Sequence, residues 1–195
     1  MKDIEKIKSS ISPIISLNND DWLILLDHIE IKTLKKNEYF LKEGQVCDSI
    51  AFINYGSLIY FKVIEEIKEI TTDFAFEGNW VTDNQSRLTY SPSYMNIKAI
   101  DDTELLEIKS ADLDVLYTRI PKLEKLGRLL MENAFLKITQ LSIDLQVLTA
   151  TERYIKLLNT HPEIFQRVSQ YHIANYLGIA PKSLSRIRNE ISQPE

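Results

Sequence analysis

Hydrophobic residues change their spacing twice along the chain. Residues 3–30 read as two short helices, IEKIKSSI and DWLILLDHI, separated by the polar break Asn18-Asn19-Asp20. Asn19 or Asp20 is placed to cap the second helix. From about 33 to 108 the pattern becomes strand-like. SIAFINYGSLIYFKV alternates, with Ile59, Phe61 and Val63 on one face, and Gly44, Gly56 and Gly78 are turn candidates. Further short strands are expected at YMNIKAI and ELLEI. So many short, mostly antiparallel strands predict a β-roll or sandwich.

From Ser110 the period is helical. ADLDVLYTRI forms one short helix and runs into Pro121, which suits the first turn of the next. The segment 122–149 holds no proline and one glycine, and is long enough for a helix of about 40 Å. Gly127, Leu130, Ala134, Ile138, Leu141, Leu145 and Leu148 make one stripe, the spacing that keeps a seam against a partner helix. Leu126, Leu129, Leu136, Ile143 and Val147 make a second apolar face, and a helix apolar on two sides needs two partners. Leu130, Ala134, Ile138, Leu141, Leu145 and Leu148 are therefore the expected dimer interface. ATERYIKLLNT is a further helix, ending near His161-Pro162.

The most informative stretch is VSQYHIANYLGIAPKSLSRIRNEI, residues 168–191. With Gln170 as the first position of a helix-turn-helix, Ala174 falls where two helices cross closely. Gly178 falls where the turn needs positive φ. Ile173, Leu177, Ile179, Leu184 and Ile187 pack the pair, and Pro181 opens the second helix. Lys182, Ser183, Ser185, Arg186 and Asn189 then face outward as base or phosphate contacts. Ser169, Gln170 and Tyr171, at the start of the first helix, are placed for the phosphate backbone.

Charge adds a direction. The net charge is −5, yet residues 151–195 carry Arg153, Lys156, Arg167, Lys182, Arg186 and Arg188 against Glu152, Glu163, Glu190 and Glu195. An acidic body with a small basic face steers which surface meets DNA. The single cysteine, Cys47, excludes an internal disulfide or a cysteine-built metal cluster. Haem would need His28, His161, His172 or Cys47 as an axial ligand, and His161 and His172 lie in the DNA-binding region, where neither is well placed. No cofactor and no metal are expected. No Ser/His/Asp set, P-loop or nucleotide fingerprint points to an enzyme. No apolar run approaches the ~20 residues of a membrane span, and the N-terminus lacks a signal-peptide core. The expected compartment is the cytoplasm.

The run ERYIKLLNTHPEIFQRVSQYHIANYLGIAPKSLSRIR resembles the C-terminal domain of Crp/Fnr-type regulators, particularly a branch abundant in Bacteroidetes. KEGQVCDSIAFINYGSLIYF is similar to the β-roll opening of their cyclic-nucleotide-binding-like sensor domain. The resemblance implies an α+β fold in three parts. These are a double-stranded β-helix or β-roll sensor with N-terminal helices (1–120), a dimerisation helix (121–149) and a winged-helix-like DNA-binding domain (150–195). It also implies a homodimer on a near-palindromic operator of double-stranded DNA, with half-sites ~34 Å apart, and RNA polymerase as a further partner.

The chain departs from that family in specific places. Cyclic-nucleotide-binding members carry Gly-Glu and Arg-x-Ala in the phosphate cassette. Here Glu77-Gly78 stand reversed, and Ser93 falls at the phosphate-binding arginine, with Arg87 nearby at the wrong spacing. Control by cyclic AMP is not expected. A pocket for an unknown small-molecule effector would be lined by Phe61, Phe74, Glu77, Trp80, Tyr90 and Tyr94; the plainer expectation is that the aromatics fill the roll's own core. Ala180 replaces the common Ser/Thr cap of the recognition helix, Lys182 replaces a frequent glutamate, and the wing is truncated after Ile191. These losses suit the alternative, a ligand-sensing or protein-interaction module that kept the fold without specific DNA binding.

Overall fold

Two helices precede the first strand, α1 (Glu5–Ile11) and α2 (Asn19–Asp27). Asn18 caps α2, in place of the expected Asn19 or Asp20. Its side chain accepts the Asp21 N–H at 2.7 Å, and the Asp21 carboxylate accepts the Asn18 N–H at 3.1 Å. This reciprocal box needs an acid three residues after the cap, and only Asn18 has its own in register. The computed structural model describes residues 4–64 and 68–192. The outer ends of the expected first and last domains, 1–3 and 193–195, lie outside the described residues, as do 65–67.

The strands follow as β1 (Glu30–Leu34), β2 (Tyr39–Leu41), β3 (Ser49–Tyr55), β4 (Leu58–Ile64), β5 (Lys68–Ala75) and β6 (Trp80–Val81). A short helix, α3 (Asn84–Thr89), precedes β7 (Asn96–Ala99) and β8 (Thr103–Lys109). They build two four-stranded sheets, ordered β1-β8-β3-β6 and β2-β7-β4-β5. Strand β8 lies antiparallel to both β1 and β3. Then come α4 (Ser110–Arg119), α5 (Lys122–Val147), α6 (Ala150–Thr160), α7 (Ile164–Arg167), α8 (Gln170–Tyr176) and α9 (Pro181–Ser192). No helix among the described residues is long and apolar enough to cross a membrane.

The chain forms two compact units. One unit comprises Met1–Tyr60 with Phe74–Glu132, the other Phe61–Asp73 with Asn133–Glu195. In the first unit the central strands β3 and β8 are buried on both faces, while β1 is largely exposed. Phe52, Leu106 and Ile108 join Ile7, Ile11, Leu25, Leu116 and Leu123 in a core under the helices. Their strand neighbours Ala51, Ile53 and Leu105 turn the other way, into the roll, with Leu34, Leu58, Val81 and Ile97. Period-2 alternation with apolar residues on both faces explains why SIAFINY reads as a nearly unbroken apolar run.

In the second unit, Tyr154, Leu157, Ile164, Val168, Ile173, Ala174, Leu177, Leu184 and Ile187 are buried. Tyr154 and Phe165 meet edge to face at 5.2 Å. The Lys137 ammonium donates to both carboxylate oxygens of Asp73, at 2.7 and 2.8 Å, tying strand β5 to α5.

Gly56 shows how tightly the roll closes. Its φ is +93°, and a Cβ there would lie 2.5 Å from the Asp102 carbonyl oxygen. Gly44 shares the positive φ, +85°, but nothing lies within 4 Å of its would-be Cβ. Gly56→Ala is therefore expected to cost roughly 2 kcal/mol or more, against about 1 kcal/mol for Gly44→Ala. Urea unfolding followed by tryptophan fluorescence measures both; equal losses would refute the close-packing account.

Candidate nucleic-acid interface

The helix-turn-helix is built from α8, a tight turn and α9. Ser169 caps α8, its hydroxyl accepting the His172 N–H at 3.4 Å. Helix α8 closes at Leu177, and the chain reverses through Gly178 at φ +69°. There the Gly178 N–H reaches the Asn175 carbonyl at 3.0 Å and the Ile179 N–H the Ala174 carbonyl at 2.9 Å. Ala174 is fully buried, as a close helix crossing requires. Pro181 is the first residue of α9. Ala180 precedes it with only a methyl to offer, so α9 lacks a side-chain cap worth ~1 kcal/mol.

Leu184 and Ile187 bury one side of α9. Lys182, Ser185, Arg186 and Asn189, spaced 3, 1 and 3 apart, share the opposite, exposed side. Ser183 sits at the margin and is half-buried. The Arg186 guanidinium stands 3.6 Å from the Glu190 carboxylate, both well exposed. Such a pair is weak and yields readily to a stronger anion.

At the other end of the motif, Ser169 and Gln170 are exposed, while Tyr171 is engaged by strand β5. Its hydroxyl donates to the Glu69 carbonyl at 3.4 Å, and the neighbouring His172 Nδ1 lies 3.1 Å from the Thr71 hydroxyl. The two rings meet edge to face at 5.3 Å. Tyr171 must leave this contact before it can reach a phosphate.

Two of the basic residues counted from sequence turn inward. The Lys156 ammonium donates to the buried Asp144 carboxylate at 2.5 Å. That bond, helped by Gln140, holds the Asp144 carboxyl below the usual carboxylate range. The Arg153 guanidinium donates to the Leu148 and Leu177 carbonyls, at 2.6 and 3.1 Å. Burial, reinforced by Asp73 and Asp144, pushes the Tyr176 phenol up to about 12. The positive charge left outward on α9 is thus Lys182, Arg186 and Arg188.

On α5, the expected stripe lies askew. Leu130, Ala134, Leu141 and Leu148 are half-buried, whereas Ile138 and Leu145 are exposed. The open seam is Met131, Phe135, Ile138 and Leu145, at intervals of 4, 3 and 7. Phe135 and Ile138 are each 68% exposed. Met131 and Phe135 were missed because Ser142, at the intervening position, hides the heptad. Leu136, Ile143 and Val147 are exposed on a second arc.

The six pocket candidates differ in burial and partners. Tyr90 (77% exposed) and Tyr94 face solvent, while Phe61 and Phe74 are buried. Trp80 packs edge to face on Phe52 at 5.4 Å, and Glu77 accepts the Gly56 N–H at 2.8 Å. The phosphate cassette does not fit a cyclic nucleotide. Ser93 is buried and its hydroxyl donates at 2.7 Å to the buried Asp83 carboxylate, which also caps α3. A phosphate at Ser93 would meet the Asp83 carboxylate. Arg87 donates instead to Asn84 Oδ1 at 3.2 Å. Among the described residues no group of three or more His, Cys, Asp or Glu side chains is placed to hold a metal.

Residues 31–119 match the family model described as the cyclic nucleotide-binding domain. The transcriptional activator protein Anr of Pseudomonas protegens is 26% identical over 193 residues, covering 93% of this chain and 78% of that protein. The transcriptional activator protein FnrA of Stutzerimonas stutzeri is 26% identical over 191 residues, covering 92% and 78%. Among solved structures, FixK2 from Bradyrhizobium japonicum superposes with a TM-score of 0.71 at 16% identity, covering 84% of each chain. The c-di-GMP-responsive global regulator CLP of Xanthomonas campestris gives 0.68 at 17% identity, covering 89% of this chain and 91% of its own. The chain is thus similar to Crp/Fnr-type transcriptional regulators over nearly its whole length, and it shares their fold: a β-roll of the cyclic-nucleotide-binding type, a long helix and a C-terminal helix-turn-helix.

Proposed function

We propose that this protein is a sequence-specific DNA-binding transcription regulator, a cytoplasmic homodimer that reads a near-palindromic operator without cyclic AMP. The observation that carries this reading is α9. Its apolar side is buried against α8, and Lys182, Ser185, Arg186 and Asn189 stand together on the open side. A helix presented that way enters a major groove, where arginine bonds guanine in bidentate fashion and asparagine bonds adenine. Ser169 and Gln170 then meet the phosphates, and Ser183 reaches the flank of the groove. Double-stranded DNA is the principal partner, and RNA polymerase a further one, in keeping with relatives named as transcriptional activators.

A second copy of the chain covers the open seam of α5. Met131, Phe135, Ile138 and Leu145 repeat as the core positions of a two-stranded coiled coil do. Half-buried Leu130, Ala134, Leu141 and Leu148 support the helix from the other side. Control without a cyclic nucleotide is supported by Ser93, which stands where the resembling family has its phosphate-binding arginine and donates instead to the Asp83 carboxylate.

Selection from a randomised duplex pool by the purified, ligand-free chain is expected to recover an inverted repeat; no enrichment would overturn the proposal. Arg186→Ala should weaken the recovered operator about 10- to 100-fold and relax the preference at one base position. Unchanged specificity would remove Arg186 from the reading face. Phe135→Glu with Ile138→Glu should give a monomer in sedimentation velocity, and a dimer that survives both changes would place the interface elsewhere.

A further inference from the structure

Arg153 stands in the first turns of α6, where a cation faces the positive end of its own helix. The acids and the cap belong there, and Thr149 with Glu152 supplies them as a capping box. The half-buried guanidinium turns away from α6 and bridges two other helix ends. One nitrogen donates to the carbonyl of Leu148, just past the end of α5, at 2.6 Å. Another donates at 3.1 Å to the carbonyl of Leu177, the residue that closes α8. Both carbonyls lie at helix C-termini, where backbone acceptors are left without partners and negative charge accumulates. A planar fork of fixed geometry holds two such acceptors at a set angle; a lysine, with one point of charge, does not.

We propose that Arg153 is the positioning residue that sets the angle of the helix-turn-helix on the long helix, and so the half-site spacing the dimer accepts. The inference rests on the DNA-binding, dimeric reading above. Leu177 is the pivot: the next residue is the Gly178 turn, and α9 follows directly. Helix α9 spans 12 residues, or ~18 Å, so a swing of about 10° moves its far end by about 3 Å, close to the 3.4 Å step between base pairs. The Lys156–Asp144 pair ties α6 to α5 from a second point. The guanidinium is thereby left to govern the α8 end.

The test uses the full chain and the half-site recovered from a randomised duplex pool. That half-site is placed once, or twice as an inverted repeat with the spacer varied one base pair at a time over a helical turn. The wild type is expected to favour one spacing sharply. Arg153→Gln should bind the single half-site within about twofold of wild type, while its advantage at the favoured spacing falls by about tenfold, as loss of charged hydrogen bonds implies. Arg153→Lys, which keeps charge and length, should recover only part of that advantage, and a thermal melt of each variant controls for folding.

An Arg153→Gln profile identical to wild type would overturn the proposal, as would full recovery by Arg153→Lys. Loss of half-site binding in step with the repeat would make Arg153 a general support of the motif and also overturn it. A lower salt dependence on the single half-site would make it a phosphate contact. Failure of the wild type to select any half-site would instead overturn the DNA-binding reading, with this inference falling alongside it.

Discussion

Strand β8 pairs with β1 over Glu30–Leu34 and with β3 over Ser49–Tyr55, so one strand from the far end of the roll must be in place before β1 joins the sheet and before β3 is paired on its second edge. Everything else in the first unit hangs on that pairing. It aligns Phe52 with Leu106 on the helix-facing side and brings Ala51, Ile53 and Leu105 to the roll interior. Because the contacts join residues about 50 to 77 positions apart, the loop-closure cost is met only when both faces are covered at once. Gly56 marks how little room remains at the β3–β4 turn, where the backbone passes against Asp102 and Thr103.

The second unit obeys a different constraint, the pairing of charge. Asp144, buried on α5, is answered by Lys156; Asp73 is answered by Lys137; and the Arg153 guanidinium is shared between carbonyls. Acids and backbone carbonyls thus engage Lys156, Lys137 and Arg153. Lys182, Arg186 and Arg188 on α9 stay exposed, so a small positive field survives on an acidic chain where a polyanion can use it.

How much of this was legible in sequence depended on whether the signal was local. The helix-turn-helix was, because Ala174, Gly178 and Pro181 each answer a backbone demand within a few residues. So were the turns at Gly44, Gly56 and Gly78, all of which have positive φ. Helix α3 was not foreseen, since its cap, Asp83, carries no pattern apart from its bond to Ser93, ten residues on. The roles of Arg153 and Lys156 were equally hidden: a sequence counts their charge but not the carbonyl or carboxylate that claims it. Aromatic residues grouped by position, Trp80, Tyr90 and Tyr94, proved to have different surroundings, because a strand alternates and a loop does not.

Asp83 and Ser93 also bear on how such a sensor changes over generations. Placing an arginine at position 93 alone would force a long side chain into a filled site and present it to Asp83, with which it would pair before any phosphate arrived. Removing Asp83 alone would strip α3 of its cap and leave the Ser93 hydroxyl without its acceptor. Each single step loses stability and gains no affinity, and only the two together open an anion site. The effects are strongly epistatic. From this sequence an anion site is therefore reached through paired changes at positions 83 and 93, not through either one alone.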